Sequence, residues 1–129
     1  MKQSEPIRCR MAACREVLDD GKAWSFYLIN DSDAPLDSAV LNQISCEWGD
    51  LGISETTDVR VADLAVGAHM LIWRDDGCGA ELRMDLSVLV RMCDREVRLL
   101  FEFPKLYLKT NLPLVAGLGM PGWQEAAEG

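Results

Sequence analysis

The densest group of potential ligand side chains is acidic and lies between two apolar stretches, in the run Asn30-Asp31-Ser32-Asp33-Ala34-Pro35 and at Asp37. Carboxylate oxygens are the ligands that calcium prefers. The spacing of Asp31, Asp33 and Asp37 predicts a site at which their oxygens converge on one such cation. The other interpretation is that Asn and Asp form Asx turns between strands. The run contains no twelve-residue calcium loop that ends in Glu, which favours the turns.

Cysteine and histidine give little support for a zinc site or for nucleophilic catalysis. His69 is the single histidine, and no two cysteines have the C-x-x-C spacing that is typical of metal sites. The sequence also offers no recognisable set of nucleophile, base and orienting group. We therefore expect no cofactor and favour a protein without enzymatic activity, and a hydrolase is the last of three hypotheses. The cysteines are odd in number and most fall within apolar-periodic strands, so we expect reduced, mostly buried thiols. They are Cys9, Cys14, Cys46, Cys78 and Cys93.

The segment from Thr110 to Trp123 contains no charged residue. Its prolines and glycines disfavour a regular helix, and it is too short to cross a bilayer. An apolar segment that stays exposed promotes aggregation. We expect it either to fold back over its own domain and cover an open sheet edge, or to dock on a second copy or another protein. The predicted partner-binding side chains are Leu112, Leu114, Val115, Leu118, Met120 and Trp123.

Alternation of apolar and polar residues predicts that strands position these groups. Between residues 80 and 103 apolar side chains occupy every second position on both sides of the turn Cys93-Asp94-Arg95. This period predicts a hairpin with one buried face and one solvated face. The turn signal Asp19-Asp20-Gly21-Lys22 likewise predicts a hairpin that joins strands over 7–17 and 24–29.

Four further strands are expected, over 40–48, 57–61, 69–73 and 105–108. Asn42 interrupts the apolar pattern of the first. The strand over 69–73 is apolar on both faces, which is typical of a central strand. Seven or eight strands predict an antiparallel immunoglobulin-like β-sandwich, with a small β-barrel as the alternative. We assign the sandwich to residues 1–109 and regard 110–129 as an apolar tail that packs on the domain or on a partner.

Composition and charge narrow the class of protein. With 129 residues, 49% of them apolar and 26% charged, the chain has the size and composition of one folded domain. It has no apolar stretch of membrane-spanning length and no secretory signal, so we expect a cytoplasmic protein without membrane contact. The formal net charge is −8, and residues 16–75 carry twelve acidic and three basic side chains. We therefore predict no nucleic-acid binding.

These observations predict a non-enzymatic module that binds another protein or a second copy of itself. The leading hypothesis is self-association through the 110–123 segment and an exposed strand edge. The alternative is a small-ligand or calcium-binding sandwich that uses the acidic turns.

Overall fold

The protein is built from antiparallel β-strands. A computed structural model describes residues 6–18, 21–48, 51–75, 83–106 and 111–129. Within these ranges no helix is long and apolar enough to cross a membrane. The strands are β1 (Arg8–Leu18), β2 (Gly21–Asn30), β3 (Leu36–Trp48), β4 (Leu51–Leu64), β5 (His69–Asp75), β6 (Arg83–Met92), β7 (Arg95–Phe103) and β8 (Trp123–Glu128).

The strands form two separate four-stranded sheets, which confirms the predicted sandwich and excludes the barrel alternative. Sheet A has the order β5-β2-β1-β8, and sheet B has the order β4-β3-β6-β7. The chain therefore makes hairpins β1–β2, β3–β4 and β6–β7 and crosses between the sheets after β2, β4, β5 and β7. The pairing of β2 with β5 and of β3 with β6 is the Greek-key pattern of immunoglobulin-like sandwiches.

The apolar faces of the two sheets pack against each other and form the main core. Phe26 of β2 meets Phe103 of β7 edge to face, with ring centroids 5.2 Å apart and planes at 83°. Every second residue of β6 is buried on this side, as the alternation predicted. Those residues are Met84, Leu86, Val88, Val90 and Met92.

β5 is an edge strand, so the predicted central position is wrong. In sheet A it pairs with β2, and no further strand follows it in the described order. Ile72 is buried, but Met70 and Leu71 are 39% and 37% exposed. A register shift near Ile72 sets Leu71 opposite Tyr27 and Trp73 opposite Phe26. The strand reads as apolar on both faces because it contains a buried residue, Ile72, and two apolar residues that stay exposed at the sheet edge, Met70 and Leu71.

Other boundaries differ from the predicted ones in ways that the pairing explains. β3 and β4 begin earlier, at Leu36 and Leu51, because they form one long hairpin. The break in the apolar pattern at Asn42 coincides with a register shift between Leu41 and Gln43, which is a β-bulge. The strand expected over 105–108 is wrong for its first two residues, which lie outside any strand, and the rest of it lies outside the described residues.

The buried side chain of Asn30 holds the two crossings next to β2. Its amide nitrogen donates to the carbonyl oxygens of Ala34 (3.0 Å), Leu64 (3.1 Å) and Ala65 (3.4 Å), and its Oδ1 accepts the amide N–H of Ser32 (2.9 Å). Ser32 and Ala34 belong to the β2–β3 connection. Leu64 is the last residue of β4, and Ala65 lies in the turn that follows it. One side chain thus satisfies backbone groups of two of the four connections between the sheets, β2–β3 and β4–β5.

We predict that Asn30→Ala lowers the free energy of unfolding by about 2–4 kcal/mol, because it leaves several buried backbone groups without partners. Urea unfolding monitored by tryptophan fluorescence measures this loss. The matched control is Asn42→Ala, since the Oδ1 of Asn42 is buried without a hydrogen-bond partner in the described structure. It should cost less than about 1 kcal/mol, and equal losses in the two variants would contradict the assigned role of Asn30.

Candidate functional site

The outer face of sheet A, which points away from the main core, is covered by residues 111–122, here called the covering loop. Ala12, Cys14 and Ile29 alternate with core residues on β1 and β2 and so point outward, yet they are at most 1% exposed. They form a second buried cluster with Val115 of the covering loop, against which Leu118 and Met120 also pack. The outward face therefore has an apolar core of its own.

The covering loop is closed on itself by backbone hydrogen bonds. The amide of Val115 donates to the oxygen of Met120 (2.8 Å), and the amide of Gly119 donates to the oxygen of Val115 (3.1 Å). Gly117 and Gly119 have backbone φ angles of +92° and +70°, which residues other than glycine rarely adopt. The loop is a compact turn that directs Val115 onto the sheet.

Gly122 lets the covering loop approach β1 closely. A Cβ atom at this position would lie 2.8 Å from the Sγ atom of Cys14 and 3.0 Å from the carbonyl oxygen of Ala13. Both distances are shorter than van der Waals contact, so a side chain here would push the loop off the sheet.

Arg10 supplies the polar connection between the covering loop and the sheet. Its guanidinium donates to both carboxylate oxygens of Asp31 (2.6 and 3.1 Å), to Oε1 of Gln124 on β8 (2.8 Å) and to the carbonyl oxygen of Ala116 (3.2 Å). The Nε and Nη2 atoms of the planar guanidinium bind the carboxylate of Asp31, and Nη1 binds the two neutral acceptors, Gln124 and Ala116. One side chain of β1 thus connects the β2–β3 connection, β8 and the covering loop.

A second polar group lies further along the same face. The Tyr27 hydroxyl donates to Oε1 of Glu16 (2.5 Å), while Arg74 lies 3.6 Å from Oε2 of Glu16 and donates to the hydroxyl of Ser25 (3.1 Å). The Tyr27 hydrogen bond, supported by Ser25 and the charge of Arg74, lowers the pKa of Glu16 against the opposing effect of burial. Burial and the neighbouring carboxylate raise the pKa of Tyr27 to about 12.

The buried thiols of sheet A are poor nucleophiles. Burial, with a contribution from Asp31, raises the pKa of Cys9 to about 12. Burial and the charge of Glu16 raise the pKa of Cys14 to about 11. Both groups are therefore protonated at neutral pH, and a thiolate is the reactive form. Cys9, Cys14, Cys46 and Cys93 are free thiols in the described structure.

The predicted partner-binding residues have different environments. Val115 is buried on sheet A, Leu118 and Met120 pack beside it, and Leu114 is 70% exposed. Leu112 and Trp123 pack against the main core, and Trp123 begins β8, which pairs with β1. The covering loop and β8 thus contact this chain's own sheets, and Leu114 is the member of the set that points into solvent.

The predicted metal ligands have separate roles in the described structure. Asp31 is paired with Arg10, and Asp33 and Asp37 are exposed. Asn30 accepts the N–H of Ser32, two residues on, as an Asx turn does. No group of three or more His, Cys, Asp or Glu side chains that could hold a metal ion occurs among the described residues.

Exposed apolar side chains, here called the apolar patch, lie on three neighbouring segments: the β4–β5 turn, β5 and the covering loop. They are Val66, Met70, Leu71 and Leu114, which are four of the five exposed large apolar side chains of the described residues. Leu71 lies on the outer face of β5 and Met70 on the side toward the core, since they pair with Tyr27 and Leu28. A Cβ atom at position 117 of the covering loop would lie 4.0 Å from the carbonyl oxygen of residue 67 in the turn, so the two segments are in contact.

Tyr27 links β5 to the buried cluster under the covering loop. It pairs with Leu71, packs against the same buried cluster as Leu118 and Met120, and meets the His69 ring edge to face with centroids 5.8 Å apart. Of the apolar patch, only Leu114 is among the predicted partner-binding residues. The signal for the other three residues is the uncharged run 64–73, which is second in length only to 110–124.

We predict that Arg10→Ala lowers the free energy of unfolding by about 2 kcal/mol, because it removes the charge-assisted bonds to Asp31, Ala116 and Gln124. The matched control is Arg8→Ala on the same strand, since Arg8 pairs with Glu128 at 3.5 Å and both side chains are largely exposed. This control should change the free energy by less than about 0.5 kcal/mol in urea unfolding. Equal effects would show that Arg10 does not fix the covering loop.

We predict that Tyr27→Phe raises the pKa of Glu16 toward its ordinary value, as carboxyl NMR titration would measure. A carboxyl whose pKa is lowered on folding stabilises the native state above its unfolded pKa, and this stability is lost as the pH falls. The Phe variant should therefore lose less stability than wild type between about pH 5 and about pH 3. In the background of Glu16→Gln the same substitution should leave the pH dependence unchanged, and an unchanged Glu16 titration would contradict the coupling.

Comparison with models of protein families, with curated proteins and with solved structures finds no match.

Proposed function

We propose that this protein functions by self-association, without chemistry of its own, and that the apolar patch is the contact surface. The observation that carries the proposal is the convergence in space of the two longest uncharged runs of the sequence, 64–73 and 110–124. Runs of this kind bury their side chains in most folds. Here each contributes at least one side chain that is more than half exposed, Val66 at 55% and Leu114 at 70%.

The position of exposed apolar side chains on neighbouring segments supports an interaction role. Single exposed apolar side chains are common and need no explanation, but adjacent ones mark contact surfaces. The apolar patch combines a rigid turn, an edge strand and a loop that is hydrogen-bonded to itself and to Arg10. Little conformational entropy is lost when such a surface binds, which favours its use as an interface.

The charge distribution favours contact between copies at this place. Two chains that each carry a net charge of −8 repel one another over most of their surfaces. Contact therefore requires a surface at which no carboxylates are brought together. The run from Leu64 through Trp73 and the covering loop meet that requirement, since neither contains a charged residue.

We predict that the wild-type protein is a dimer and that Val66→Asp and Leu114→Asp each raise its dissociation constant at least about tenfold, which is about 1.4 kcal/mol. Sedimentation velocity between about 1 and 100 μM measures the equilibrium. The matched control is Leu100→Asp, because Leu100 is 46% exposed on the outer face of sheet B and the substitution adds the same charge. A monomeric wild type, or an equal effect of the control, would refute the proposal.

A further inference from the structure

We propose that two copies join by antiparallel pairing of their β5 edges, with Met70 of one copy directly opposite Met70 of the other. This inference rests on the proposed self-association and specifies its geometry. The resulting sheet would run continuously through eight strands, from β8 of one copy through the two β5 strands to β8 of the second. A two-fold axis perpendicular to the sheet would relate the copies, which is the closed symmetry of most homodimers.

β5 is the edge strand with the longest stretch free of charged side chains, residues 69–73. The edges of the two sheets lie against each other on both sides of the sandwich, β8 against β7 and β5 against β4, so the charges of the edge strands distinguish them. The edge strand β4 carries the exposed charges of Asp58 and Arg60, and charged side chains on an edge oppose pairing with another strand. The β5 residues from His69 to Leu71 include no acidic side chain and no Lys or Arg.

The register proposed for the two β5 strands follows from the register shift between β5 and β2. Only the stretch His69–Leu71 pairs regularly with β2 before the register shift, and its centre is Met70. In a two-fold pairing centred there, His69 of each copy lies opposite Leu71 of the other, so that side chains on the same face meet. A centre at Leu71 would instead place Ile72, the residue without a partner in β2, opposite Met70 within the ladder.

This register covers the exposed apolar side chains of the edge. Met70 would pack against its counterpart on the side of the sheet that faces the core, and Leu71 would pack against the partner's His69 on the outer face. The Tyr27 ring, which already contacts the His69 ring, would complete that layer. Because the axis is perpendicular to the sheet, both covering loops would lie on the same side of the joined sheet and flank the junction, which brings Leu114 near the contact.

Disulfide trapping tests the register, because directly opposed residues of an antiparallel pair have Cα atoms about 4.5–5.5 Å apart and a disulfide requires about 4.4–6.8 Å. The experiment compares Met70→Cys with Leu71→Cys, which have nearly equal exposure. Both are made in the full chain with Cys78→Ser and Cys93→Ser, and both are oxidised with glutathione disulfide. Leu71 of the two copies would be diagonal neighbours about 7–8 Å apart. Met70→Cys should therefore cross-link at least about ten times faster.

Circular dichroism and the sedimentation mass of the unoxidised background protein complete the design. A folded dimer that cross-links through position 70 and not through position 71 supports the pairing. A folded dimer in which position 71 cross-links as fast as position 70, or in which neither cross-links, overturns the pairing and leaves self-association standing. A monomeric background protein overturns both. If Met70→Cys does not fold, His69→Cys mixed with Leu71→Cys gives the same test, since the register places these two residues opposite each other.

Discussion

The fold depends on a buried amide at the place where the chain leaves one sheet for the other. Sandwich sheets contact each other through apolar side chains, which are not directional, so their relative position must be set by hydrogen bonds in the connections. The side chain of Asn30 supplies these bonds to the β2–β3 and β4–β5 connections. The backbone of Asn30 adds two more: its N–H donates to the carbonyl oxygen of Ala68 (3.0 Å), and its carbonyl oxygen accepts the N–H of Gly67 (2.8 Å). The turn that carries Val66 is therefore bonded to the same residue, immediately before β5 begins at His69.

The two faces of sheet A show how a small domain can bury more apolar area than a simple sandwich. The inner face packs against sheet B, and the outer face is covered by a loop that has few polar side chains with which to hold its position. Its own backbone hydrogen bonds and a single guanidinium from β1 do this instead. Because Arg10 also binds Asp31, the position of the loop is coupled to that of the β2–β3 connection.

Local periodicity predicted the strands whose two faces differ, and it failed where both faces are apolar. The hairpin β6–β7 was predictable because one face of each strand meets the core and the other is polar at most positions. The hairpin β1–β2, whose outer face is partly apolar, was predictable from the turn signal Asp19-Asp20-Gly21-Lys22, of which Asp19 and Asp20 lie outside the described residues. For β5 the pattern was ambiguous, since a central strand and an edge strand with exposed apolar residues have the same composition. Asn30 and Arg10 could not be assigned from the sequence either. Besides nearer partners, Asn30 bonds to Leu64, 34 residues away, and Arg10 bonds to Ala116, more than 100 residues away. Nothing in the local pattern indicates which distant backbone groups will be adjacent.

The pairing of β8 with β1 has a consequence for the order in which the protein folds. These strands are joined in register from Arg8 with Glu128 to Ala13 with Trp123, so the ladder connects segments separated by most of the chain. Closing so large a loop is entropically costly and slows folding. During synthesis β1 has no partner on that side until residues 123–128 have left the ribosome. The apolar side chains on the outer face of β1 stay uncovered for the same period, because the covering loop also follows β7 in the chain. The completed sheet A is thus a late product of translation, whereas the β3–β4 and β6–β7 hairpins of sheet B can form as soon as they are made.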